Sequence, residues 1–108
     1  MKYRYTLKNN FCIYISDLKG VQYVCEWGII YDGLLTIKKG YSWDGCTCAI
    51  DTDRTYSACL VHDFLCQFRP IVRAKRDAIF YKILRANKYE LSKLYYYAVK
   101  FYGLFFFN

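Results

Sequence analysis

His62 is the only histidine in the chain, and Asp63 follows it at once. The two sit in a stretch that is otherwise apolar, Ala58-Cys59-Leu60-Val61-His62-Asp63-Phe64-Leu65-Cys66. Ionisable groups in such a stretch cost stability unless they are paired or line a cleft. Two more carboxylates are candidates to join them. Asp44 stands beside Gly45 in the segment that opens at Gly40, and Asp77 stands in a basic run with Arg73 one turn before it. One imidazole with up to three carboxylates suits two chemistries. In the first, His62 is a general acid or base oriented by a carboxylate, because imidazole titrates near neutral pH. In the second, His62, Asp44 and Asp63 hold a hard divalent cation such as Mg or Mn, which polarises a phosphoryl oxygen or activates water. Neighbouring helical residues point about 100° apart, so His62 and Asp63 are not expected to address one atom together.

Around this cluster, Arg73, Arg76 and Lys75 are suited to hold phosphates, and Tyr41 or Trp43 to stack on a base. The same residues also admit a purely structural account. Asp44 and Asp63 would then cap backbone amides, His62 would be a satisfied buried donor, and Asp77 would pair with Arg73.

Six cysteines, at 12, 25, 46, 48, 59 and 66, raise the question of metal or disulfides. Cys46, Cys48, Cys59 and His62 would make a three-thiolate, one-imidazole zinc set. Cys46-x-Cys48 is not the usual Cys-x-x-Cys knuckle, however, and no second pair follows. Zinc is therefore not favoured. With no secretory context visible, no disulfide is expected either, and the cysteines read as small buried hydrophobes.

The elements that must position the cluster follow from periodicity. Residues 3–8, 11–16, 21–27 and 34–39 are rich in Tyr, Ile, Val, Thr and Phe and are separated by turn residues. They predict three or four antiparallel strands over about 1–40, with Asp32-Gly33 as a hairpin turn. Residues 41–52 read as a loop. A helix is expected from about Asp53 to Phe68, broken by Arg69-Pro70. A second is expected from about Val72 to Ala86, stopped near Asn87, and a third from about Glu90 to Tyr102. Gly103 would end the third, leaving an apolar tail over 104–108. Strands first and helices after give an α+β fold, read as a single domain.

The whole is 108 residues of 12.9 kDa with a net charge of +7, too short for a multidomain enzyme. Aromatic residues make up 21%, which excludes a disordered chain. Residues 1–68 carry seven basic and seven acidic side chains, and residues 69–108 carry nine and two. The excess is thus confined to the C-terminal part, where it suits an anionic partner or a solvated face. MKYRYTLKNN lacks the apolar stretch of a secretory signal. The apolar run Leu94–Phe107, interrupted by Lys100, is shorter than the roughly 20 residues a spanning helix needs. A soluble, intracellular protein is expected. No signature of a nucleic-acid-binding fold is present, so nucleic acid is not the favoured partner.

Four segments in order resemble a small domain family of unknown function found in tailed phages and prophages. They are Gly40-Tyr41-Ser42-Trp43-Asp44-Gly45-Cys46-Thr47-Cys48-Ala49, His62-Asp63-Phe64-Leu65-Cys66, Arg73 through Asp77 with Phe80, and Tyr97-Ala98-Val99-Lys100-Phe101-Tyr102-Gly103. Thr47, Ala49 and Cys66 stand where the family pattern carries Ser, Pro and Tyr. The resemblance implies viral origin and the grouping of Asp44, His62, Asp63 and Asp77. Viral origin and an intracellular chain together lead to an expected host-cytoplasmic setting, and Thr47 is counted with the ligand-contacting candidates. The leading reading is a hydrolase or lyase of a phosphorylated small molecule, such as a nucleotide signal of host antiviral defence. One alternative is a protein that sequesters such a nucleotide without cleaving it. Another is a virion structural or assembly protein, with the apolar ending as an interaction surface. That ending also predicts a homo-oligomer, most simply a dimer.

Overall fold

A computed structural model describes residues 5–43 and 56–87, together with 96, 97 and 100. The chain forms two compact units, Met1–Asp44 and Gly45–Asn108.

The first unit is built of short strands. β1 (Tyr5–Thr6) pairs with β6 (Ser42–Trp43) in a two-stranded sheet. β2 (Phe11–Tyr14), β3 (Gln22–Cys25), β4 (Gly28–Tyr31) and β5 (Leu34–Ile37) form a four-stranded antiparallel sheet in the order β2-β5-β4-β3. Alternation along each strand sends one set of side chains inward, with Ile30, Leu35 and Ile37 buried. The other set forms two rows across the outer face. Tyr14, Leu34, Tyr31 and Gln22 lie side by side in one row, and Cys12, Thr36, Ile29 and Val24 in the other. The β4–β5 hairpin turns at Asp32 (φ 44°) and Gly33 (φ 95°). Positive φ at both central residues is the mirror-image turn that matches strand twist. The Asp32 carboxylate accepts the Gly20 amide at 3.0 Å, tying this hairpin to the β2–β3 connection. That connection carries a short 3₁₀ turn, Ser16–Leu18, with Leu18 fully buried.

The second unit contains α1 (Tyr56–Phe68) and α2 (Arg73–Ala86). In α1, Leu60, Val61, Phe64 and Leu65 are buried, a spacing of three and four that places them on one broad face. Arg69 takes a left-handed conformation (φ 52°), its amide still bonded to the Leu65 carbonyl at 2.9 Å, and Pro70 follows. A left-handed residue and then a proline is an efficient helix stop. The link of residues 69–72 is so short that the helices must return antiparallel. Accordingly, Asn87 at the end of α2 donates from Nδ2 to the Ser57 hydroxyl, at 3.1 Å, at the start of α1. Ile79, Phe80, Ile83 and Leu84 form the buried stripe of α2.

The α+β class is observed, but the expectation of three C-terminal helices is corrected. Among the described residues two helices follow the strands, and most of the segment assigned to the third lies outside those residues. The strand reading is corrected too: the described residues hold six strands in two sheets. β4 occupies Gly28–Tyr31, which the sequence left between a strand and a turn. β6 begins inside the segment read as loop. The residues proposed to cap α1, Asp51 to Asp53, lie outside the described residues.

Candidate active site

His62 faces α2 because it lies four residues after Ala58 and three before Leu65, both buried, and so shares the packed side of α1. Its Nε2–H donates to Oδ1 of Asp77 at 2.8 Å. The pair is largely enclosed, with 13% of the His62 side chain and 4% of the Asp77 side chain accessible. Phe80, one turn beyond Asp77, packs against the imidazole with ring centroids 4.9 Å apart. Cys66, one turn beyond His62, places Sγ 3.8 Å from Nδ1 and 3.6 Å from Nε2. Near-equal distances to the two nitrogens put the sulfur midway between them, not in line with either. The thiol is thus a packing neighbour and not a nucleophile aligned with its base.

Burial works to lower the pKa of His62. The hydrogen bond to Asp77 and then the Cys66 sulfur outweigh it and push the imidazole up to about 9. At neutral pH the ring is therefore imidazolium. Nε2–H is committed to Asp77, and Nδ1 is the nitrogen left to meet another group. A carboxylate bonded to one ring nitrogen fixes both the orientation of the ring and its charge.

Arg73 lies one turn before Asp77 and so shares its face of α2. It is half-buried, and its Nη1 is buried with no hydrogen-bond partner. Asp77 is bound to His62, where a purely structural account would pair it with Arg73. The first turn of α2 holds Arg73, Lys75 and Arg76 and no acidic residue. Its N-cap, Val72, supplies no side-chain bond. Three cations at the positive end of a helix dipole are an unfavourable arrangement that a bound anion would offset.

The other residues singled out from the sequence divide as follows. Asp63 is half-buried on α1, about 100° around the helix from His62. Arg76 is 1% exposed and donates from Nη1 to the Ile71 carbonyl at 3.4 Å. It braces the turn between the helices, which corrects its reading as a phosphate-holding side chain. Tyr41 and Trp43 are 1% and 2% exposed and belong to the first unit. Their rings stack on each other at 6.1 Å, and Tyr5 stacks on Trp43 at 5.4 Å. Both are core residues, and the expected platform for a base is corrected accordingly. Asp44 and Thr47 lie outside the described residues.

Among the described residues, no group of three His, Cys, Asp or Glu side chains is placed to hold a metal ion. The Mg or Mn set needs Asp44, and the zinc set needs Cys46 and Cys48, all outside those residues. Cys59 is disulfide-bonded, which overturns the expectation of no disulfide. Its partner lies outside the described residues. Cys12 is exposed on the outer sheet face, not buried. No helix is long and apolar enough to cross a membrane among the described residues.

Sequence reasoning missed Cys66 as a neighbour of the imidazole. Its position four residues after His62 on a helix was the available signal.

The model of the DUF1353 family, proteins of unknown function, matches residues 30–99. No curated protein and no solved structure matches the chain.

Proposed function

The chain belongs to the DUF1353 family, and we propose that it is a small hydrolase of phosphoesters that binds a phosphorylated, nucleotide-like molecule beside His62. The observation that carries this reading is the His62–Asp77 pair at 2.8 Å. A carboxylate that holds a buried imidazole in its charged form is the arrangement needed for a proton donor at neutral pH. With its pKa at about 9, His62 serves as a general acid. It donates from Nδ1 to a leaving alkoxide or a phosphoryl oxygen. A base role would require it to lose that proton first. Arg73, with a buried and unpartnered Nη1, supplies a charge-assisted contact to the phosphate. The viral origin that the family resemblance implies and the anti-defence role that the His/Asp cluster beside basic residues suggests are part of the proposal.

The test is to incubate the protein with cyclic and linear nucleotides, with and without Mg or Mn, and to separate products by chromatography. Cleavage that disappears in His62→Gln supports the reading. Failure to cleave or bind any of them overturns it.

The second reading, sequestration without cleavage, is favoured by one feature. An imidazolium whose charge is already matched by Asp77 can serve as a fixed hydrogen-bond donor with no proton transfer. Ligand-induced thermal stabilisation with no product, weakened in His62→Gln, would select it.

A further inference from the structure

The outer face of the four-stranded sheet is unusual for a surface. None of its eight side chains is charged. Its large apolar members are well exposed: Tyr14 57%, Val24 73%, Ile29 38%, Tyr31 65% and Leu34 46%. With large side chains offering roughly 150–250 Å² each when open, these five expose on the order of 500–600 Å². Isolated monomers seldom show a contiguous apolar patch above about 300–600 Å² that is not an interaction site. It also approaches the ~800 Å² that each partner gives to a standard interface.

The two rows on this face differ in height. The Tyr14–Leu34–Tyr31–Gln22 row is tall, and the Cys12–Thr36–Ile29–Val24 row is short. A step of this kind is complementary to itself. A two-fold axis running between the rows, parallel to them, lays the tall row of one sheet over the short row of the other, and the reverse. Stacked sheets sit about 10 Å apart, with their inner side chains interdigitated. Two flat rows of equal height would have to collide or gape. With no charge on this face, no like charges of a chain carrying +7 meet across the contact, and an anionic partner has nothing to hold.

We propose that this face is the interface of a symmetric homodimer. Tyr14 of one copy packs over the partner's Cys12, and Tyr31 over the partner's Ile29. Each contact occurs twice, as two-fold symmetry demands. The interface uses no residue of the His62 site, so the dimer and the proposed activity stand or fall separately.

Light scattering across a micromolar to millimolar range tests it, with the expectation of a mass that rises to that of a dimer. Ile29→Lys places two like charges at the centre of the contact and should weaken association roughly a hundredfold or more, with an unchanged circular dichroism spectrum. Tyr31→Glu, in the other row, should weaken association likewise, because it brings a carboxylate over the partner's apolar Ile29. This second variant keeps the proposal testable if Ile29→Lys does not fold. A monomer mass at every concentration overturns the proposal. So does a dimer that Ile29→Lys and Tyr31→Glu both leave intact.

Discussion

Nε2 of His62 and Oδ1 of Asp77 meet at 2.8 Å across two antiparallel helices, and the geometry of the site radiates from this contact. Asp77 sets the ring's orientation and holds its proton. Phe80 and Cys66 close the space around it. Replacing Asp77 with Asn keeps the shape but removes the charge. The His62 pKa should then fall from about 9, because only the Cys66 sulfur is left to oppose burial. The fold should lose roughly 1–3 kcal/mol, the usual cost of weakening a buried charge-assisted bond. An NMR titration of the imidazole and urea unfolding measure the two effects. An unchanged imidazole titration would show that Asp77 is not what holds the proton.

The same pair makes stability depend on pH. The folded pKa of His62 is about 9, raised above its ordinary value of 6.5. Its contribution to stability is therefore complete below about pH 6.5, declines above it, and is lost as pH rises through about 9. A shift of this size is worth about 3 kcal/mol. Unfolding free energies at roughly pH 6 and roughly pH 10 should differ by that much more in the parent chain than in His62→Gln. Subtracting the variant removes the shared titration of Lys, Tyr and Cys side chains. Equal pH dependence in the two proteins would contradict the account.

The β4–β5 turn offers a sharper contrast. A Cβ on Gly33 would lie 2.5 Å from Cε1 of Tyr14, at a φ of 95°. A Cβ on Gly20, at a φ of 78°, would meet nothing within 4 Å. Gly20→Ala should cost only the backbone strain, about 1 kcal/mol. Gly33→Ala should cost that and the displacement of the Tyr14 ring, together roughly 2–4 kcal/mol. Denaturant midpoints of the two variants decide the matter, and similar losses would mean that Tyr14 does not cover the turn.

What could be read from the chain follows from the range over which each signal acts. The hairpin at Asp32-Gly33 and the stop at Arg69-Pro70 are local, because two residues suffice to set the backbone there. The apolar spacings of α1 and α2 are nearly as local. β4 was missed because Gly28-Ile29-Ile30-Tyr31 is short, and its pairing with Leu34–Ile37 becomes evident only once the turn joins them. Trp43 reads as a ligand platform from the chain alone because its ring can stack on a base; its burial depends on Tyr5, distant in sequence. Arg76 misled for a related reason. Its bond to Ile71 arises only after the chain turns between helices. The sequence did bring His62 and Asp77 into one cluster. It could not say which carboxylate would reach the ring, because that depends on the register of two helices.

Arg73 separates binding from stability most cleanly. Its buried Nη1 has no hydrogen-bond partner, a state that costs roughly 1–3 kcal/mol in a protein interior. If that cost is retained because an anion completes the bond, removing the guanidinium has opposite effects on the two properties. Arg73→Met keeps the length and the apolar stem but removes the unsatisfied group. The unliganded protein should become more stable by about 1 kcal/mol, while its affinity for inorganic phosphate and for nucleotides should drop about tenfold or more. Thermal unfolding without ligand and titration calorimetry with phosphate read the two separately. A variant that is destabilised and binds phosphate as tightly as the parent would place Arg73 among the structural residues, with no part in holding an anion.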